Sequence, residues 1–219
     1  MPTTAPTSAG RSPSTPRPIY LNATAATGFL PDLDALAADA PLLKRTIAFY
    51  LCSPANPQGS VASRDYIARA LELARAYDFI LLFDECYSEI YSQAPPPGAL
   101  EVAAATPQRF SNLVVFNSLS KRSNLPGLRS GFCAGDARFI ETFAELRNMV
   151  APQMPSPTQH ASAAVWSDEV HVEMNRAAYR EKYDVCDRVS VGDMVTAGRR
   201  VGSFYGWMSA SLAVLLRHR

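Results

Sequence analysis

Asn117-Ser118-Leu119-Ser120-Lys121-Arg122-Ser123-Asn124-Leu125-Pro126-Gly127-Leu128-Arg129 is the stretch around which the rest of the chain is organised. The four residues before it, 113–116, are Leu, Val, Val and Phe, a branched and aromatic run that reads as a buried strand. A polar loop follows at once and collects Ser118, Ser120, Lys121 and Arg122. In open α/β sheets, ligands sit in the crevice at the carboxyl ends of the strands. An amine, hydroxyls and a cation gathered in such a loop therefore call for a ligand that needs them.

Working outward, residues 46–51 form a continuous apolar run, expected as a strand buried on both faces. It ends in the turn cluster Ser53-Pro54-Ala55-Asn56-Pro57-Gln58-Gly59. Ser63 reads as the N-cap of a helix with Asp65 in its first turn. Ile67, Ala70, Leu71, Ala74 and Tyr77 fall at helical spacing on its sheet-facing side. Residues 79–83 are a second buried strand, which ends directly in Asp84-Glu85-Cys86-Tyr87. A proline-rich loop occupies 94–98, residues 113–116 are the third strand, and 131–135 a fourth. Nearer the start, 18–21 reads as a short strand, and Asp32 and Asp34 open a short helical turn. Beyond residue 137 the period becomes helical: Phe139, Ile140, Phe143, Leu146 and Met149 share a face. Pro152, Pro155 and Pro157 break the chain, a short helix is expected over 158–166, and Asp168 caps a longer one reaching about Arg188. Strands alternating with helices define an α/β protein with a mostly parallel sheet and helices on its faces. Both longer crossovers are expected to be right-handed.

Composition narrows the function. The chain has 219 residues, 47% of them apolar, enough for a packed core. The net charge of +1, without a basic stripe, argues against nucleic acid as partner. No apolar run is long enough to span a bilayer, so no membrane partner is expected. Cys52, Cys86, Cys133 and Cys186 lack metal-binding or paired spacing and read as free thiols in a reducing cytoplasm. His160, His171 and His218 show no metal-ligand spacing, so no metal site is expected. Residues 1–17, rich in Pro, Ser, Thr and Ala and without an acid, read as a disordered tail. A transit peptide shares that bias but would carry an amphipathic apolar face, which is missing here.

Three strands thus end in polar clusters: Asn56, then Asp84 with Tyr87, then residues 118–121. Any one of these is ordinarily a cap or turn residue. Parallel strands bring their carboxyl ends to one edge, and the coincidence of three points to a site there. Cys86 reads as a packing residue and Arg122 as a solvated or phosphate-side charge.

The set Asn56-Pro57-Gln58-Gly59, Asp84-Glu85-Cys86-Tyr87, Ser118-Leu119-Ser120-Lys121 and Arg129-Ser130-Gly131, in this order and spacing, resembles the pyridoxal-phosphate-dependent aminotransferases of fold type I, class I/II. The stretch from Lys121 to Arg129 is similar to succinyldiaminopimelate aminotransferase-like proteins. The resemblance implies a three-layer αβα large domain and the cofactor pyridoxal 5′-phosphate. It implies Lys121 as the amine that binds the aldehyde and shuttles a proton, and Asp84 as the carboxylate beside the ring nitrogen. Asn56 and Tyr87 would hydrogen-bond the phenolic oxygen, and Ser118, Arg129 and Ser120 would hold the phosphate. The implied reaction moves an amino group between an amino acid such as glutamate and a keto acid in lysine and diaminopimelate biosynthesis, in a homodimer. A carbon–sulfur lyase or decarboxylase on the same fold would use the same motifs, and a remnant without catalysis would retain them.

The resemblance runs from about Tyr20 to Arg188, so residues 18–188 are expected as a partial cofactor-binding large domain, with 189–219 an atypical tail. A complete enzyme of this kind is close to twice as long. The segment that closes over the substrate, the early large domain with its phosphate loop and stacking ring, and the small domain with its carboxylate-binding arginine have no counterpart here. A truncated or frame-disrupted gene product is the expectation, with apolar faces left uncovered.

Overall fold

The computed structural model describes residues 16–151, 153–190, 195–197, 202–203 and 208–210. The expected tail at 1–17 lies almost wholly outside the described residues, as does much of 189–219. Asp32 starts the first helix, α1 (Leu33–Ala38), by accepting from the N–H groups of Asp34 and Ala35, both at 3.0 Å. Asp39 does the same for α2 (Ala40–Leu43). There follow β1 (Ala48–Cys52), α3 (Arg64–Ala76), β2 (Ile80–Asp84), α4 (Ala99–Ala104) and β3 (Leu113–Ser118). After these come α5 (Leu119–Arg122), β4 (Gly131–Gly135), α6 (Ala137–Val150), α7 (Ser156–Trp166) and α8 (Val170–Ser190). A separate antiparallel pair is formed by β5 (Val195–Ala197) and β6 (Met208–Ala210).

The main sheet has the order β1-β2-β3-β4. Its first three strands are parallel, and β4 runs antiparallel to β3. The register sets Cys52 beside Asp84, Asp84 beside Phe116, and Ser118 beside Gly131. Side chains alternate between faces. One face carries Leu51, Leu81, Phe83, Leu113 and Val115 into the core. There they meet Ile67, Ala70, Leu71 and Ala74 of α3, Ala99, Val102 and Ala103 of α4, and Leu33, Leu36 and Leu43. Each fully buried Leu, Ile or Phe contributes about 1.5–3 kcal/mol, so this layer holds the unit together. Ser63 caps α3 as its sequence position implied, accepting from the Tyr66 N–H at 3.1 Å.

Two expectations need correction, and two further features lay outside the sequence pattern. The run at 46–51 is not buried on both faces: β1 is the outer strand, α3 covers one face only, and Ile47 and Tyr50 are 62% and 59% exposed. No strand forms at 18–21, where Pro18 has no N–H to give to a ladder; Ala23 instead makes an isolated bridge with Pro31. The apolar stripe of α6 is at the expected spacing, yet none of its residues is buried, because it packs beside β4, itself at the end of the sheet. Phe139 and Phe143 stack on one another there, with ring centroids 5.9 Å apart. Finally, α4 was not anticipated: its six residues are too few to show a period, and the Glu85 side chain supplies its start by accepting from the Ala99 N–H at 2.7 Å.

Candidate active site

The parallel strands bring their carboxyl ends to one edge, as the pattern of polar strand ends required. Asn56 lies in the turn after β1, Asp84 is the last residue of β2, and Ser118 is the last of β3. The turn after β1 contains two cis X–Pro bonds, at Ser53–Pro54 and Asn56–Pro57. It is fixed from inside by the buried Ser53 hydroxyl, which accepts from the Ala62 N–H at 2.9 Å.

Lys121 stands on a helical turn and not in the open loop expected for 118–121. A helix of four residues has no stability of its own, since nucleation costs more than one turn returns. Three contacts hold it. Leu119 is fully buried, and its N–H donates to the Ser130 carbonyl at 3.1 Å. The Asn175 amide of α8 donates to the carbonyls of Lys121 and Arg122, at 3.3 and 3.4 Å. The Arg122 side chain reaches the other way. Its guanidinium is 4% exposed, pairs with Glu169, donates to the Val165 and Trp166 carbonyls at 3.2 and 3.5 Å, and lies 5.0 Å over the Trp166 ring. Trp166 in turn meets Phe132 edge-on at 5.0 Å. The expectation of Arg122 as a solvated charge is therefore overturned; it donates to carbonyls at the end of α7.

Around the lysine, the Asn56 amide donates to the Tyr87 hydroxyl at 3.4 Å, and the Lys121 ammonium lies 5.9 Å from the Tyr87 ring centroid. Asp84 accepts at both oxygens: Oδ2 from the Tyr50 hydroxyl at 2.5 Å and Oδ1 from the Cys86 N–H at 2.9 Å. The Ser118 hydroxyl is directed at Cys86 Sγ, 3.5 Å away. Ser120 sits half-buried on the same turn as Lys121. Arg129 is the outlier: it is exposed, has a positive φ of 53°, and donates to its own loop at the Pro126 carbonyl, 3.0 Å away. It is nevertheless kept at this edge, because Gly131, two residues on, pairs with Ser118. Gly131 is required there, since a Cβ would stand 2.6 Å from the Asn117 carbonyl oxygen.

Acids in this corner hold their protons. Burial, then the Asp84 charge, pushes the Cys52 thiol up to about 12. Burial raises Cys86 to about 11, with the Ser118 hydroxyl working against the rise and Asp84 for it. Burial raises Glu85 to about 7, opposed by the Ala99 N–H and aided by Asp84. Tyr50 is pushed well above the ordinary phenol value by burial and by its bond to Asp84. The Asp84 charge acts on all four, which marks a locally negative field that favours a cationic group. Beside it stand an amine, an amide and a phenol. This donor set suits a ligand with a protonated ring nitrogen, an acidic ring oxygen and a carbonyl. A cleft of about 1270 Å³ between residues 16–24 and β1 touches this region at Tyr50, Cys52 and Asn56, but Asp84, Tyr87 and Lys121 are not among its walls.

Sequence reading missed Tyr50, Arg122 and Asn175. Tyr50 had a visible signal, since a strand residue two before the partner of Asp84 faces the same side of the sheet. The partners of Arg122 and Asn175 are 47 and 53–54 residues away in sequence, and nothing local announces them.

A mostly parallel α/β sheet with lysine, aspartate, asparagine and tyrosine at its carboxyl edge has the layout of an α/β enzyme. The chain belongs to the aminotransferase class I and II family, whose profile matches residues 14–189. It is 35% identical over 196 residues to the LL-diaminopimelate aminotransferase of Desulforudis audaxviator, covering 88% of this chain and 47% of that protein. It is 33% identical over 158 residues to the 4-dedimethylamino-4-oxo-anhydrotetracycline transaminase OxyQ of Streptomyces rimosus, covering 72% and 44%. An aminotransferase structure from Neisseria meningitidis superposes with a TM-score of 0.77 at 41% identity, covering 83% of this chain and 46% of that one. The chain spans about half the length of the curated relatives it matches.

Proposed function

We propose that this chain is the cofactor-holding part of an aminotransferase that moves an amino group between an amino acid, glutamate foremost, and a keto acid. Enzymes of this family use pyridoxal 5′-phosphate. The observation that carries the reading is the placing of Asn56, Asp84, Tyr87 and Lys121 at one sheet edge, with Lys121 on a turn braced from both sides. When bound, the cofactor supplies an electron sink for charge developing at the substrate α-carbon.

The protein's part follows from its donors. Lys121 would be the residue that holds the aldehyde group, its Nζ condensing there with loss of water, and when free its amine would be placed to take and return a proton at the substrate α-carbon. Asp84 would favour a protonated ring nitrogen through its charge. Asn56 and Tyr87 would donate to the phenolic oxygen. Ser118, Ser120 and Arg129 would hold the phosphate, Arg129 as the cationic donor among them.

Residues 18–188 form the cofactor-binding unit in this reading. The substrate belongs to the diaminopimelate group of lysine biosynthesis, a choice supported by the names of the Desulforudis relative and of a second LL-diaminopimelate aminotransferase, from Moorella thermoacetica, 34% identical. The uncovered apolar residues of β1 and α6 are consistent with a homodimer. Four free thiols fit a cytoplasmic location.

The test is to load the chain with pyridoxal phosphate and add L-glutamate. Recovery of the cofactor as its amine, with matching 2-oxoglutarate, is expected. Release of carbon dioxide from glutamate would instead indicate a decarboxylase, and release of thiol and ammonia from an added S-substituted cysteine, without the amine form, a carbon–sulfur lyase.

A further inference from the structure

Tyr50 and Asp84 lie on the same face of the sheet in adjacent strands. Cys52 is the direct neighbour of Asp84, and Tyr50 is one step back along the pleat, beside Leu82. The Tyr50 ring spans that diagonal and its hydroxyl donates to Asp84 Oδ2 at 2.5 Å, while the Cys86 N–H holds Oδ1 at 2.9 Å. A carboxylate torsion is otherwise broad and weakly determined. Two donors, one on each oxygen, restrict that torsion. They do not exhaust the group, because an ionised carboxylate offers about four acceptor positions. The remaining lone pairs therefore point in a set direction.

We infer that Tyr50 is a positioning residue that aims the Asp84 carboxylate at the protonated ring nitrogen of the cofactor; this rests on the function proposed above. Tyr50 acts only through Asp84, so its contribution exists only for a ligand that carries a ring N–H. The phenol suits the task because it remains a donor across the working pH range, its acidity being suppressed by burial and by Asp84. The ring is half-exposed on an outer strand, so removing the hydroxyl alone leaves the core untouched.

The experiment compares two ligands, pyridoxal phosphate and its 1-deaza analogue, in which carbon replaces the ring nitrogen. Dissociation constants are measured for the unaltered chain, for Tyr50→Phe, for Asp84→Asn and for the double variant. Tyr50→Phe is expected to weaken pyridoxal phosphate binding about fivefold or more, to leave the deaza analogue unchanged, and to have no further effect once Asp84 is Asn. Equal weakening of both ligands, or of neither, overturns the inference while leaving the aminotransferase reading in place. Failure of the unaltered chain to bind pyridoxal phosphate overturns both.

Discussion

Arg122 and Glu169 form an ion pair that is buried at one end and open at the other: the arginine side chain is 4% exposed and the glutamate 66%. The guanidinium also donates to carbonyls at the end of α7 and stacks on Trp166. Its value lies mostly in those contacts, because a wet carboxylate adds little. Arg122→Ala is expected to cost about 2–3 kcal/mol in urea denaturation and Glu169→Gln less than about 1 kcal/mol. Equal losses would show that the ion pair, and not the carbonyl capping, dominates.

Glu85 gives a pH signature. Burial lifts its folded-state value from 4.5 to about 7. Between those pH values the unfolded chain releases the proton and the folded chain keeps it, so stability falls as pH rises from about 4.5 to about 7 and is level above. Glu85→Gln keeps the acceptor for the Ala99 N–H and removes the proton. It should raise stability by about 1–3 kcal/mol at pH 8 and change little near pH 4. A thermal melt series across this range checks it; a variant less stable at pH 8 would contradict the assignment.

Most of the sheet and the polar ends of its strands could be read from the chain because the local signals agreed. The apolar runs leading to Cys52, Asp84 and Ser118 were continuous, and each was punctuated by polar residues at its end. What escaped was set by distant partners. Ile47 and Tyr50 look like core residues in sequence, and only the strand order shows that β1 is the outermost. Lys121 looks like a loop residue because four residues carry no helical period, and Asn175 and Arg122 decide the turn from α8 and α7.

The close contact at Gly131 makes a third prediction. A methyl group there would meet the Asn117 carbonyl oxygen at 2.6 Å. Backbone must move, so Gly131→Ala should cost about 2 kcal/mol or more. It should also loosen the β3–β4 pairing beside Ser118, read as faster amide exchange at Leu119, whose N–H donates to Ser130. Unchanged stability would show that the strands separate freely.

Thiol chemistry supplies a fourth. Cys52 and Cys86 hold their protons to about 12 and about 11, whereas Cys186 is exposed. Iodoacetamide at pH 8 should modify Cys186 first and leave Cys52 and Cys86 largely intact, as followed by peptide mass spectrometry. Preferential labelling of Cys86 would contradict the burial that, with Asp84, holds its proton.

The most direct measurement is the absorbance spectrum of the purified chain with pyridoxal phosphate, compared with that of Lys121→Ala. A visible band shifted from that of the free aldehyde is predicted for the unaltered chain, absent from the variant, with circular dichroism showing both folded. A folded chain that gives no such band, or a band that survives in Lys121→Ala, would contradict the assignment of Lys121 as the amine that holds the cofactor.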